Sequence, residues 1–110
     1  MKKHLLIFGK VQGVGFRYWL YEKAIKKNIR GWVKNKITGE VETLLIGNDE
    51  DVNEVIKQCK KGPHSSNVIQ VKIQDYKQDR TISDSKLKGL FDVTILSDID
   101  KINMKNGELT

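Results

Sequence analysis

The spacing of apolar side chains along the 110 residues is most regular in the middle of the chain, where it predicts a helix. Four apolar side chains recur there at the spacing of one helix face: Val52, Val55, Ile56 and Cys59. Asn48 or Asp49 can cap the first turn, and the acidic residues that follow complement the positive end of the helix dipole. Gly62 and Pro63 stop this helix after Lys61.

A broader apolar pattern nearer the N-terminus predicts another helix, from about Phe16 to Asn28. Its apolar positions recur every four residues and are widened by two aromatic side chains: Phe16, Leu20 and Ala24, with Trp19 and Tyr21. Shorter runs predict five strands, at His4–Lys10, Arg30–Lys34, Glu40–Ile46, Ile69–Gln74 and Phe91–Ile95. Apolar and polar residues alternate in the last two strands, which predicts one face on a core and one face in water.

The order of these elements predicts an α+β domain with the ferredoxin-like α/β plait. The order is β-α-β-β-α-β with a fifth strand, and residues 35–39 join the second and third strands as a hairpin. This predicts an antiparallel sheet with two helices on one face. The polar stretch 77–89 is long for a loop, so we expect a surface excursion there. We assign the domain to residues 1–96 and expect the tail, 97–110, to be peripheral or disordered.

Composition narrows the possible partners only in part. The net charge is +6. This charge indicates either an anionic partner or simply a solvated surface that is rich in lysine. The one cysteine, Cys59, excludes an internal disulfide and a cysteine-rich zinc site, and it is either a small buried side chain or a reactive thiol. His4 and His64 lack metal-ligand spacing, so we expect structural or surface roles and no metal. The longest apolar run, Leu5–Phe8, is too short for a membrane span or a signal peptide, so we expect a cytoplasmic protein.

The segment between the first strand and the first helix has three glycines in seven residues, Gly9 to Gly15. A loop that opens onto a helix N-terminus suits an anion, because unpaired backbone N–H groups converge there and the helix dipole adds positive charge. Glycines also let the backbone approach an oxyanion closely, although a tight turn would need them equally. Arg17 favours the anion, because a cation in the first helical turn is unfavourable unless an anion lies beside it; a surface arginine is the alternative.

Asn35 follows the second strand, and the predicted topology gives it a place near this loop. The two strands of a β-α-β unit run parallel, so their carboxyl ends lie at one edge of the sheet. The glycine loop leaves the first of these ends and Asn35 leaves the second, so we expect the Asn35 carboxamide to lie near the anion. An asparagine that serves only the turn before Gly39 is the alternative.

Two stretches resemble signatures of the acylphosphatase family. Gly9 to Arg17 (GKVQGVGFR) is similar to the first signature, and Gly31 to Glu42 (GWVKNKITGEVE) is similar to the second, in the right order and separation. Gly62 and Pro63, with the valines that follow, resemble a weaker third stretch, and the resemblance covers about residues 4 to 96. In two respects the chain departs from the family pattern. Ser65 to Asn67 is more polar than the small apolar residues that are usual there, and the chain continues beyond the point where members commonly end.

The resemblance implies a ferredoxin-like fold, an enzyme without a cofactor, and hydrolysis of small acyl phosphates. It implies that Arg17 binds the substrate phosphate and that Asn35 orients the attacking water. It also implies a phosphate-binding loop whose backbone amides complete the site: Gln12, Gly13, Val14, Gly15, Phe16 and Arg17. We therefore expect a metal-independent acylphosphatase that is a monomer and binds neither nucleic acid nor membrane.

Two other functions use the same residues differently. An anion- or RNA-binding module on the same plait would explain the net charge, but neither central strand is rich in aromatic residues. A regulatory domain that senses a phosphorylated metabolite would bind phosphate without turning it over. Such a domain would not need Asn35 to hold water.

Overall fold

The structure is a computed structural model that describes residues 1–75 and the backbone of residues 91–92. Its elements follow one another in the predicted order: β1 (Lys2–Lys10), α1 (Phe16–Lys26), β2 (Arg30–Asn35), β3 (Val41–Ile46), α2 (Asp49–Lys61) and β4 (Asn67–Asp75). The predicted excursion at 77–89 and the predicted tail at 97–110 lie outside the described residues. Neither described helix combines the length and the apolar character that a bilayer span requires.

These four strands form an antiparallel sheet with β1 and β3 at its centre, β4 beside β1 and β2 beside β3. Both helices pack on the same face of this sheet, because their apolar residues share one core with alternate residues of the strands. That core includes Leu5, Ile7, Val33, Val41 and Leu45 from the strands, Phe16, Leu20 and Ala24 from α1, and Val52, Val55, Ile56 and Cys59 from α2. The predicted plait of four antiparallel strands and two helices is confirmed.

The predicted fifth strand is described over two residues only. Phe91 and Asp92 lie beside Gly31 and Trp32 of β2, in a parallel rather than an antiparallel orientation. The rest of the predicted strand, residues 93–95, is not among the described residues. The fifth strand therefore stays a prediction.

The first helix ends earlier than the sequence predicts. α1 stops at Lys26 because Asn28 takes a left-handed backbone conformation with a φ of 54°. The Ile29 N–H then bonds back to the Ala24 carbonyl at 2.9 Å, which directs the chain into β2. A left-handed residue that closes the last turn is a common helix ending, and asparagine adopts that conformation more readily than most residues.

β4 buries different side chains from those that the alternation predicts. Ile69 and Ile73 were expected on the core side with Val71, but Ile69 is 76% exposed and Ile73 is 41% exposed. Val71 packs against the core as predicted, and Val68 packs there in place of Ile69. The register of β1 and β4 shifts at Gly9, which pairs with Val68 where an uninterrupted ladder would place Ile69. Because side chains alternate between faces, this shift moves Ile69 to the other side of the sheet. Ile73 lies outside the shift, opposite Leu5, so it keeps the predicted face but is not covered there.

A carboxylate holds several polar side chains together on the sheet face away from the helices. Glu42 lies 2.6 Å from His4 Nε2 and 3.4 Å from Lys34 Nζ. The Lys34 ammonium also lies 5.3 Å from the centre of the Trp32 ring. Burial raises the pKa of Glu42, but the hydrogen bond to His4 and the charge of Lys34 outweigh burial and lower that pKa below its usual value. This pairing therefore stabilises the fold above the pKa of an unfolded glutamate, and the contribution is lost as the pH falls through the lowered value.

The cap of α2 provides a stability prediction. The Asn48 side chain accepts a hydrogen bond from the Asp51 N–H at 2.8 Å. We expect Asn48→Ala to lower the free energy of unfolding by about 1 kcal/mol, because a first-turn N–H loses its acceptor. Asn53→Ala makes the same change at an exposed position inside α2 and is expected to be neutral or slightly stabilising, since alanine has the higher helix propensity. Urea unfolding measures both variants, and equal midpoints would contradict the role of the cap.

Candidate active site

The glycine loop and Asn35 lie at the same edge of the sheet. β1 and β2 are each antiparallel to β3, which lies between them, so β1 and β2 run in the same direction. Ile7 of β1 and Asn35 of β2 both pair with Val41, which aligns the two strands at this end. The loop begins after Lys10, just beyond that row. The topology thus brings the two predicted parts of the site to one side of the domain.

The N-terminus of α1 carries no cap from a side chain of the described residues. Gly15 occupies the capping position, and the first turn contains no acidic residue. α2 differs in both respects, since Asn48 caps it and its first turn is acidic. The first N–H groups of a helix have no partners within the helix, and the dipole places partial positive charge there. The start of α1 is therefore suited to bind an anion from outside the helix.

The loop exposes its backbone at two glycines, while the residues next to these glycines pack into the fold. Gly13 and Gly15 are exposed, with positive φ angles of 72° and 78°. Val14 between them packs against the core, and its carbonyl accepts a hydrogen bond from Ser65 Oγ at 3.0 Å. Phe16 is 1% exposed and belongs to the core, so its backbone N–H is the group that it can offer to a ligand. The polar residue at 65, a departure from the family pattern, thus has a structural role as a support of the loop.

Arg17 lies in the first turn of α1 and is 3% exposed. This burial excludes the alternative of an arginine on the solvated surface. Burying a guanidinium is costly unless the group is hydrogen bonded and faces opposite charge, because it keeps its positive charge. Arg17 thus places a buried positive charge beside the partly positive N-terminus of α1, a position where the helix dipole favours negative charge.

Asn35 belongs to the sheet rather than to the turn that follows it. It pairs with Val41 as the last residue of β2, and its side-chain oxygen is buried. The turn is closed after it, where the Gly39 N–H donates to the Lys36 carbonyl at 3.0 Å. The alternative, in which the asparagine serves only the turn, is therefore not what the structure shows.

The side chain of Gln12 joins the two parts of the site. Its Nε2 donates to the Lys36 carbonyl at 2.6 Å and to the Glu40 carbonyl at 3.0 Å. From the sequence, Gln12 is predicted only as a backbone amide of the loop, and the Ser65 contact is not predicted at all. Nothing local signals these contacts, because the partners of Gln12 are 24 and 28 residues away and Ser65 is 51 residues from Val14.

The remaining candidates from the sequence have structural roles. Cys59 is fully buried in α2, and this burial raises the pKa of its thiol to about 12, so the buried alternative is confirmed and the reactive thiol is excluded. His4 pairs with Glu42 on the far face of the sheet, as the prediction of a structural role requires. Among residues 1–75, no three His, Cys, Asp or Glu side chains come together as ligands for a metal ion.

Comparison with known families matches the part of the chain that contains this site. The family model described as Acylphosphatase matches residues 3–86, a range that includes the loop, Arg17 and Asn35. The chain belongs to the acylphosphatase family. The resemblance seen in the two sequence stretches is confirmed, and with it the assignment of the chain to a class of enzymes.

The chain is similar to individual acylphosphatases over most of the length of those proteins. The acylphosphatase of Nitrobacter winogradskyi is 43% identical over 72 residues, which are 66% of this chain and 73% of that protein. The crystal structure of the Bacillus subtilis acylphosphatase gives a TM-score of 0.72 at 28% identity and covers 86% of this chain and 98% of that one. An acylphosphatase structure from Coxiella burnetii gives 0.70 at 29% identity, with 84% and 90% covered. The plait described above is therefore the fold of this family.

The conformation of Gly15 leads to a prediction about the acylphosphatase loop. A Cβ added at Gly15 would meet no atom within 4 Å, so its φ of 78° is the reason for glycine there. We expect Gly15→Ala to lower the free energy of unfolding by about 1–2 kcal/mol, the usual cost of a left-handed conformation. Gly15→Asn is expected to cost less, because asparagine tolerates that conformation better. Urea unfolding compares the two, and equal losses would contradict a conformational origin.

Proposed function

We propose that this chain hydrolyses acyl phosphates by direct attack of water on phosphorus, with Arg17 and the loop amides binding the phosphoryl group and Asn35 placing the water. Membership of the acylphosphatase family supports the reaction, and the geometry of the β1–α1 loop supports the roles of the residues. The observation that carries these roles is a buried arginine beside a helix N-terminus that no described side chain caps.

The phosphoryl oxygens would be bound by two kinds of donor. The N–H groups of residues 12–17 would provide the first kind, at the start of α1, where the helix dipole favours negative charge. Arg17 adds a planar guanidinium that can bind two oxygens at once, which a lysine cannot do. Both kinds of donor bind the phosphate before and during the reaction, so they serve substrate binding as well as the transition state.

Asn35 would act on the water rather than on the phosphate. Its carboxamide has both donor and acceptor atoms, so it can fix a water molecule without becoming charged. Its backbone is held in the sheet by the pairing with Val41, at the edge where the loop lies. A fixed water and a fixed phosphoryl group remove much of the entropy cost of bringing the two together.

The chemistry needs little from the protein beyond this arrangement. The bond from the water oxygen to phosphorus forms while the bond from phosphorus to the acyl oxygen breaks, and the carboxylate leaves with the bonding electrons. A phosphoryl oxygen can accept the proton of the water, so no catalytic base is required. Carboxylate is a good leaving group, so the main demand is stabilisation of charge on the phosphoryl oxygens. We include independence from metal ions and cofactors in the proposal.

We also propose that the protein is a monomer, that it acts in the cytoplasm and that it binds neither nucleic acid nor membrane. The far face of the sheet is where a plait would stack nucleic-acid bases, and Trp32 on that face is only 2% exposed. The basic groups near it, His4 and Lys34, are paired with Glu42. A sensor that binds phosphate without hydrolysis is less consistent with an asparagine held beside the loop.

Kinetics of two variants test the separate roles of Arg17 and Asn35. We expect Arg17→Ala to lower kcat/KM by about 30- to 1000-fold and to weaken inhibition by phosphate, because a buried, charge-assisted contact with phosphate is lost. We expect Asn35→Ala to lower kcat strongly while KM and phosphate inhibition stay nearly unchanged, because water placement matters in the transition state. Steady-state hydrolysis of benzoyl phosphate, with phosphate as a competitor, measures all of these constants.

Two outcomes of that experiment would contradict the assignment. If Asn35→Ala abolished phosphate inhibition and Arg17→Ala did not, the two roles would be reversed. If neither change lowered kcat/KM by tenfold, the loop would be a structural turn. Circular dichroism of each variant tests whether the fold is kept. We expect Asn35→Ala in particular to keep the fold.

Removal of metal ions tests the remaining part of the mechanism. We expect the rate of benzoyl phosphate hydrolysis to be the same in excess EDTA as in its absence, because the proposed donors are a guanidinium, backbone amides and a carboxamide. The control is the rate of spontaneous hydrolysis in the same buffers. A large loss of activity that magnesium restored would show that a metal takes part.

A further inference from the structure

We propose that the Gln12 side chain is a positioning residue that fixes the phosphate-binding loop relative to Asn35. The inference rests on the roles proposed above for the loop and for Asn35. It goes beyond them because it concerns a side chain that contacts neither the phosphate nor the water in that mechanism.

The contacts of Gln12 use the whole donor capacity of its amide. Nε2 carries two hydrogens, and the two atoms within reach are the carbonyl oxygens of Lys36 and Glu40, at 2.6 Å and 3.0 Å. Carbonyl oxygens only accept hydrogen bonds, so the nitrogen of the amide, rather than its oxygen, must face them. Gln12 thus clamps two points of the hairpin turn with one rigid, planar group.

The clamped turn directly adjoins Asn35. The Lys36 N–H donates to the Glu40 carbonyl at 2.8 Å, so the two carbonyls that Gln12 contacts belong to a turn that is itself closed by hydrogen bonds. Consecutive Cα atoms are about 3.8 Å apart, so the backbone of Asn35 cannot move far while Lys36 is held. On its other side, Asn35 is held by the ladder with Val41. The clamp is therefore a direct link between the loop and the residue that places the water.

The second tether of the loop leads elsewhere and does not provide this link. Ser65 Oγ donates to the Val14 carbonyl at 3.0 Å, which ties the loop to the connection between α2 and β4. The side-chain bonds of Gln12 join the loop to the segment that follows Asn35. In-line attack requires the water and the phosphorus at a fixed separation, and a misplacement of about 1 Å can cost a hundredfold in rate. Loss of the Gln12 hydrogen bonds is therefore expected to lower kcat.

Two substitutions remove the clamp while keeping the length of the side chain. Gln12→Met has no donors, and Gln12→Glu presents a carboxylate to two carbonyl oxygens. For both we expect kcat to fall about 10- to 100-fold, while KM and the inhibition constant of phosphate change less than about threefold, because the loop amides and Arg17 remain. Lowering the pH is expected to restore part of the kcat of Gln12→Glu, because a protonated carboxyl regains one donor.

Gln74→Met is the matched control. Gln74 Nε2 lies 2.9 Å from His4 Nδ1, so this change also removes a hydrogen-bonded amide, but on the sheet face away from the helices. We expect it to leave kcat and KM unchanged. A loss of kcat in Gln74→Met as large as in Gln12→Met would show that any weakened side-chain contact has this effect, and would overturn the proposal.

A double-mutant cycle with Asn35→Ala separates positioning from general stability. If Gln12 acts through Asn35, Gln12→Met should lower kcat by less than about threefold in the Asn35→Ala background, although it lowers kcat much more in the parent chain. Independent, multiplicative effects would overturn the proposal and leave the role of Asn35 intact. A rise in KM with unchanged kcat would also overturn it, because Gln12 would then serve phosphate binding. If Asn35→Ala alone left kcat unchanged, the proposed role of Asn35 would be wrong and the proposal for Gln12 would fall with it.

Discussion

The arrangement of the site depends on β3 lying antiparallel between β1 and β2. Because each outer strand opposes β3, the two strands run in the same direction and end at the same edge. The segments that leave those ends, the glycine loop and the residues after Asn35, are separated in sequence but adjacent in the fold. An apolar core on one face of the sheet holds the three strands and both helices in register. The residues of the candidate site thus occupy positions that the packing of the domain has already fixed.

The two helices show how the same local chemistry serves different purposes. α2 satisfies its own N-terminus with Asn48 and an acidic first turn, so that end contributes to stability. α1 leaves its N-terminus without a side-chain cap from the described residues and places a buried arginine in the first turn. A cation in the first turn adds its charge to the end of the helix that is already partly positive. In the function proposed above, the N-terminus of α1 serves the binding of phosphate, whereas that of α2 serves the stability of the fold.

Much of this could be predicted from the sequence, because its strongest signals are local. The apolar stripe and cap of α2, the glycines before α1 and the order of the elements lie within short windows, and the plait follows from them. The contacts of Gln12 and Ser65 could not be predicted, since they join residues that only the folded sheet brings together. The exposure of Ile69 was missed for a related reason, because it depends on a shift in the pairing of two strands distant in sequence. A local pattern specifies an element, whereas register and side-chain tethers are properties of the assembled fold.

Because Cys59 is buried, its reaction with a thiol reagent can report how often the folded protein opens. The cysteine is the only one in the sequence, and in the folded state it is fully enclosed beneath α2 with a thiol that stays protonated at neutral pH. A thiol reagent can reach it only when α2 separates from the sheet or the domain unfolds, so the rate of labelling measures how often that happens. For the same reason, two folded copies cannot be joined by oxidation, and disulfide-linked dimers in an aged sample would count the molecules that had opened.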